Sequence, residues 1–356
     1  MSLKINLEFD KNLKTLLKKS RVNFLFGAGA SYYLKEDEAA YPLMNDIVQF
    51  IIQNDVYKLK IDELDEHNII KRCHNKYLVE EKNFESFLSA IEGLTSYPMD
   101  EKILIRINEF INLCKKLLIE RLTISNTIST TEIYAAFYDK LQYFNRDKEE
   151  TYKRLNVFTT NYDMLSELAL ENLSMNYFSG FTGLNNRKFN SAYYNFTYSD
   201  DMNLNTRNYL VKKDHVNLYK LHGSLSWCLK NGNLCEIQDY ESNSNPVIIY
   251  PSHTKYNNTN LIVYYSTLMR EFLNQISKEQ TSLVVIGYSF SDEHINQLID
   301  SALTIDSFTL VACIFSNKDL ENLNNRFINQ SNIKVYKGEM STLSKFADFL
   351  GEDGNE

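Results

Sequence analysis

The feature that most constrains this chain is a recurring pair: a short, fully apolar run, then an amphipathic helical pattern. Val22–Phe26, Leu155–Thr160, Leu218–Leu221, Leu283–Ile286, Phe308–Phe315 and Ile333–Tyr336 are such runs, with shorter ones at Met175–Phe178 and Val247–Tyr250. Helical periods fill Met164–Leu173, Leu261–Ile276, Glu293–Leu303 and Lys318–Asn329. Strands apolar on both faces belong in a parallel sheet that helices cover on both sides. The expected fold class is therefore α/β, a doubly wound, mostly parallel, Rossmann-like sheet.

The first strand stands apart from the others. Between it and Leu155 lies a long stretch with helical spacing, as in Phe84, Phe87, Leu88 and Ile91 and again from Ile103 to Leu118. The simplest organisation is one discontinuous domain, residues 1–42 and 146–350, with a helical insertion, 43–145, after the first strand–helix unit. Residues 351–356 form a polar tail. Leu13, Leu16 and Leu17 mark an amphipathic helix within residues 1–20. Residues 180–214, rich in Asn, Tyr, Ser and Asp, read as loop or a short insertion. There is no internal repeat.

Composition removes several classes. With 44% hydrophobic residues, 11 glycines and 4 prolines in 356 residues, the chain is neither disordered nor collagenous. A formal charge of −8 argues against nucleic acid as the main partner. The N-terminus is charged and lacks an apolar core, so no secretory signal is expected. No run reaches the roughly 20 apolar residues of a membrane span. Five scattered cysteines fit a reducing compartment, so the expected location is cytoplasmic.

Chemistry-bearing residues gather at the strand ends. Gly27-Ala28-Gly29-Ala30-Ser31 follows the first strand and suits a tight turn into a helix start, where backbone amides could meet a diphosphate. Tyr32 stands where a full dinucleotide fingerprint has its third glycine, so a plain strand-to-helix turn remains open. Thr159-Thr160-Asn161-Tyr162-Asp163 puts an amide and a carboxylate just off a strand. They could hold ribose hydroxyls or water, or simply cap the next helix. Leu221-His222-Gly223-Ser224 gives His222 the most site-like context of the six histidines. The alternative is a histidine hydrogen-bonded within a turn. His253 and His294 have weaker contexts, and His67 and His74 read as surface residues. Gly287-Tyr288-Ser289-Phe290-Ser291-Asp292 ends another strand. It lacks the fifth-position glycine of a nucleophile elbow, which removes the main support for an α/β-hydrolase.

Taken together, these motifs resemble the sirtuin-like NAD-dependent family. Gly27–Ser31 is similar to its GAG-plus-serine loop, Thr159–Asp163 to its T-x-N-x-D segment, His222–Ser224 to its H-G-S segment, and Gly287–Ser289 to its G-x-S strand end. Asn83-Phe84-Glu85-Ser86-Phe87-Leu88 and the G-Y-S-F-S-D segment resemble the bacterial branch associated with antiphage defence. The resemblance spans roughly residues 20–320. Two features depart from the deacylases. Cys228 and Cys235 have no second pair, so the four-ligand zinc site is rejected. Tyr41-Pro42-Leu43 stands where the deacylases have G-x-P-D-F-R, and it lacks the arginine.

The resemblance implies NAD as substrate, without zinc, and hydrolysis of the nicotinamide–ribose bond by an NAD-depleting effector. By resemblance the catalytic residues are Asn161, His222 and Asp163. Asn161 would orient ribose and water, Asp163 would support that geometry, and His222 would act as general base. Gly27, Ala28, Gly29, Ser31 and Thr160 would hold the cofactor with Gly223 and Ser224. Gly287 and Ser289 would line its adenosine half with Asp292, and Ser316 and Asn317 are further adenosine-side candidates. Gly27, Gly29, Gly223 and Gly287 are expected to mark where backbone meets ligand, so bulky replacements should harm NAD binding more than folding. A homo-oligomer and a partner such as a HerA-type ATPase or another sensor follow by family analogy, with no membrane and no direct nucleic-acid contact. The alternatives are an NAD-dependent protein deacylase or ADP-ribosyltransferase, and a non-catalytic sensor module for NAD or ADP-ribose.

Overall fold

The computed structural model describes residues 4–31, 34–35, 38–39, 44–64, 69–124, 128–146, 148–149, 153–200, 210–212, 215–243, 246–248, 259–327, 330–338 and 341–351. Tyr41-Pro42-Leu43, His67, His253, Tyr250 and the tail beyond Gly351 lie outside these residues.

Eight parallel strands make the central sheet. They are β1 (Ile5–Asn6), β2 (Arg21–Phe26), β3 (Leu155–Thr159), β4 (Tyr177–Phe178), β5 (Val216–Lys220), β6 (Thr281–Ile286), β7 (Phe308–Ile314) and β8 (Ile333–Lys337). Their spatial order is β1-β8-β7-β6-β2-β3-β5-β4, and every neighbouring pair is parallel. The central strands bury both faces because nearly every residue is apolar, as in Val22–Phe26 and Leu283–Ile286. The strand order reverses direction between β2 and β6, the position where ligand crevices of open α/β sheets form.

Two helical layers cover this sheet. Helices α1 (Lys11–Lys18), α2 (Met44–Gln53), α3 (Asp55–Leu64), α4 (Ile69–Cys73), α5 (Phe84–Leu94), α6 (Glu101–Ile124), α7 (Ile128–Arg146), α8 (Leu165–Asn172) and α12 (Leu343–Gly351) belong to one side. Helices α9 (Thr259–Ile276), α10 (Glu293–Leu303) and α11 (Asn317–Arg326) belong to the other. Local sequence sets several helix starts. Asp10 accepts from Leu13 N at 2.7 Å, and Asn83 accepts from Ser86 N at 2.9 Å. Every regular element among the described residues of 44–146 is a helix, including a π-helical segment, His74–Glu80. Helix α7 lies directly on the sheet: the Phe137 ring meets Phe24 and Phe26 edge-on at 5.1 and 5.4 Å.

The sequence reading and the structure differ at several places. After Gly27 the described chain makes only a single 3-10 turn, Ala28–Ala30. Residues 180–214 are not plain loop. Phe181–Thr182 and Arg187–Phe189 join a hairpin, Trp227–Lys230 and Asn233–Glu236, in a small antiparallel sheet. These strands are too short to leave a readable period. Strand β1 and helix α12 were not expected, and Gly351 ends that helix rather than opening a polar tail.

A polar ladder crosses the buried sheet. Asn23, Asn156 and Asn217 lie in register on β2, β3 and β5 and are 1%, 4% and 0% exposed. Asn156 Nδ2 donates to Asn23 Oδ1 at 2.8 Å, and Asn217 Nδ2 donates to Asn156 Oδ1 at 3.0 Å. Any slip of one strand would break the ladder, so it selects the register. Asn156→Leu leaves both neighbours short of a partner. It is expected to cost about 1–3 kcal/mol, read as a lower urea midpoint; an unchanged midpoint would show that the ladder contributes nothing.

Candidate active site

The motif loops leave the sheet from one row. Phe26 is in register with Thr159 and with Ile286, and Thr159 with Lys220. Gly27, Thr160, Leu221 and Gly287 come next, side by side at the carboxyl edge. Asn161 and His222 each follow their strand's last residue by two.

The loops after β2 and β6 touch backbone to backbone. Gly27 N donates to Ile286 O at 3.1 Å, and Gly29 N donates to Gly287 O at 2.9 Å. A Cβ on Gly287 would stand 1.9 Å from Ala30 N, and Gly287 has φ +67°. A Cβ on Gly27 would stand 2.4 Å from Gly287 O. The opposing loop by itself therefore requires glycine here. The amides of Gly27 and Gly29, expected at a diphosphate, are already bonded within the protein. At Gly223 too, the backbone of Val247 fills the space a Cβ would need, with Val247 O 2.2 Å away.

Asn161 is fixed from several directions. Its Nδ2 donates to Gly27 O at 3.1 Å and to Ser31 Oγ at 3.3 Å, and its backbone N donates to Thr159 Oγ1 at 3.0 Å. Ser31 Oγ in turn lies 2.8 Å from the Tyr134 hydroxyl on α7. Burial, followed by the charge of Asp163, pushes the Tyr134 hydroxyl well above its ordinary pKa, so it stays protonated. Thr160 is turned back on the sheet, its N and Oγ1 both reaching Phe26 O at 3.0 and 3.4 Å.

Asp163 divides its two oxygens. Oδ1 accepts from Leu165 N at 2.9 Å, so the helix-cap alternative holds for that oxygen. Oδ2 is buried and has no hydrogen-bond partner. A buried carboxylate oxygen without a protein partner costs about 1–3 kcal/mol or more unless a donor from outside the chain, a water or a ligand hydroxyl or amide, meets it. Behind it, Lys220 Nζ donates to the Asp163 carbonyl and pairs with Glu167 Oε1 at 3.2 Å. Both side chains are 3% exposed. Burial raises the Glu167 carboxyl, with Lys220 opposing.

His222 meets a residue that the sequence placed elsewhere. Its Nε2 stands 3.0 Å from Asp292 Oδ2, and both side chains are 5% exposed. Asp292 was expected along the adenosine half of the cofactor; its carboxylate faces the histidine instead. The remaining residues divide in the same way. Ser224 Oγ is buried between Ser226 Oγ, at 3.1 Å, and Met164 Sδ, at 3.3 Å. Ser289 is accessible, with Oγ 2.7 Å from Ser291 Oγ. Ser316 caps α11, and Asn317 Oδ1 accepts from Lys337 Nζ, so both adenosine candidates have structural duties.

Four residues around the site were missed by sequence reasoning: Tyr134, the paired Lys220 and Glu167, and Glu85, which accepts from Tyr162 OH at 2.5 Å. Tyr134, Phe137, Tyr138 and Leu141 have the spacing of one helix face, so Tyr134 was legible as buried. Its partner was not. Cys228 and Cys235 face each other across their hairpin. Among the described residues, no group of three or more His, Cys, Asp or Glu side chains could hold a metal ion.

A family model described as SIR2-like domain matches residues 155–336, just over half the chain. The chain belongs to this family. The match begins at β3, so the Gly27–Ser31 loop and the helical stretch lie outside it. Among solved structures, the chain aligns with a Sir2 homologue–NAD complex at 10% identity, covering 99% of this chain and 96% of that one, with a TM-score of 0.46. It also aligns with a serine variant of a Sir2 homologue bound to ADP-ribose, at 11% identity, 97% and 96% coverage and a TM-score of 0.43. No curated protein matches the sequence.

The glycine contacts carry a prediction opposite to the one drawn from sequence. Gly287→Ala should unfold at a markedly lower temperature, a loss of about 3 kcal/mol or more, whether or not nucleotide is present. Unchanged stability with lost nucleotide binding would restore the ligand-facing role.

Proposed function

We propose that the chain is an NAD hydrolase that cleaves the nicotinamide–ribose bond and releases nicotinamide and ADP-ribose. The observation that carries this reading is the Asn161–Asp163 pair. The amide is locked in place by Gly27 and Ser31, and one carboxylate oxygen is buried without a partner, in a SIR2-like chain. Nicotinamide leaves as a neutral pyridine and needs no general acid. The demand falls on fixing the ribose and water beside an oxocarbenium-like centre. Asn161 orients the ribose and the water. Asp163 Oδ2 accepts a hydrogen bond from the substrate. His222 takes a proton as the water oxygen bonds to C1′, while the C1′–N electron pair departs with the pyridine.

The same reading takes residues 1–42 and 146–350 as the catalytic unit and 43–145 as a helical insertion. It takes Gly27, Ala28, Gly29, Ser31, Thr160, Gly223, Ser224, Gly287 and Ser289 as the surround of the nucleotide. The effector role in antiphage defence, a cytoplasmic setting, a homo-oligomer and a HerA-type ATPase or other sensor as trigger belong to this proposal. They rest on the motif resemblance.

Purified chain, alone and with the product of its neighbouring gene, is incubated with NAD and free nicotinamide is followed. Asn161→Ala and His222→Ala should each lose nicotinamide release by roughly 100-fold or more while keeping the folded spectrum. Full activity in both variants would overturn the site. Binding of NAD without any release in either setting would favour the sensor.

A further inference from the structure

The contact between His222 and Asp292 is built with some care. Asp292 uses Oδ1 to cap α10, accepting from His294 N at 2.9 Å and Ile295 N at 3.3 Å. That fixes the carboxylate plane and leaves Oδ2 toward the ring, 3.0 Å from Nε2, an ion-pair distance without the alignment of a hydrogen bond, with both atoms shut off from solvent. The preceding loop is held in an uncommon conformation. Phe290 has φ +54° although it is not glycine. Asn296 Nδ2 donates to Phe290 O at 2.8 Å, Tyr288 OH donates to Asp292 O at 3.2 Å, and Asn322 Nδ2 donates to Ser289 O at 2.9 Å. A helix cap alone does not require this arrangement, since a cap uses one oxygen and tolerates Ser, Thr or Asn.

We propose that Asp292 is the positioning residue of this site: its Oδ2 keeps the His222 proton on Nε2, so that Nδ1 is the basic atom presented to the substrate. A neutral imidazole has one N–H and one lone pair, and the negative carboxylate 3.0 Å from Nε2 attracts the N–H to that nitrogen and repels the lone pair to the other by charge alone. When Nδ1 accepts a proton from water, the imidazolium carries N–H groups on both nitrogens and Asp292 compensates its charge. The balance is complete with the groups named. The proton moves from water to Nδ1, the water oxygen bonds to C1′, and the C1′–N pair leaves on nicotinamide. The assignment of Nδ1 as base rests on the hydrolase reading; the tautomer itself does not.

The test is Asp292→Asn, which keeps an N-cap oxygen while removing the charge. Histidine-selective 15N labelling, with His222→Ala to assign the signal, reads the ring tautomer of His222. The wild-type ring should be protonated at Nε2, and the Asp292→Asn ring should lose that preference. Turnover should fall roughly 100-fold in kcat, with KM for NAD within about threefold, because the lost group acts through the base and not on binding. Asp292→Glu should recover part of the tautomer preference. An identical His222 signal in wild type and Asp292→Asn overturns the proposal. So does a switched tautomer with undiminished kcat. A switched tautomer in a chain that releases no nicotinamide in any setting supports the positioning role and sinks the hydrolase reading instead.

Discussion

The site depends on two loops meeting backbone against backbone where the sheet changes winding direction. Gly27 and Gly29 follow β2, Gly287 follows β6, and their amides and carbonyls bond directly. Space for a Cβ is absent on both sides. That contact sets the position of the Gly27 carbonyl, which receives the Asn161 amide. It also fixes where the β6 loop begins its path to Asp292, the partner of His222. The predicted catalytic side chains thus inherit their positions from a contact that only glycines allow.

A second layer of constraint comes from buried polar groups. The Asn ladder holds β2, β3 and β5 in one register, and that register aligns the ends of the strands. At those ends Lys220 supports the Asp163 carbonyl and faces Glu167 with almost no solvent to share the charge. Such a pair adds little net stability, but removing one partner strands the other. The helical stretch enters the same network through Tyr134 and Glu85. It is therefore mechanically joined to Asn161 and to the neighbouring Tyr162.

Much of this was readable in advance. The apolar runs located six sheet strands because residues buried on both faces leave an unbroken signal. The motif residues fell at the predicted edge because chemistry in such sheets sits where strands end. The meaning of the glycines was not readable. Scarcity marked Gly27, Gly29, Gly223 and Gly287 as special, but sequence could not say whether a ligand or another backbone filled the space. Asp292 shows the same limit: the residue was chosen and its partner was not, because pairing it with His222 requires knowing which strands are close. Short strands such as Phe181–Thr182 and Arg187–Phe189 left no period to detect.

The central claim is that water, and no other acceptor, captures the ribose at this site. The most direct test is the mass balance of NAD consumption by the intact protein, with its trigger if one is needed. Free ADP-ribose should equal released nicotinamide, mole for mole, with no acylated or protein-linked ADP-ribose. Nicotinamide released in excess of free ADP-ribose, with the difference found on protein or as an acyl ester, would contradict the account and make the enzyme a transferase or deacylase.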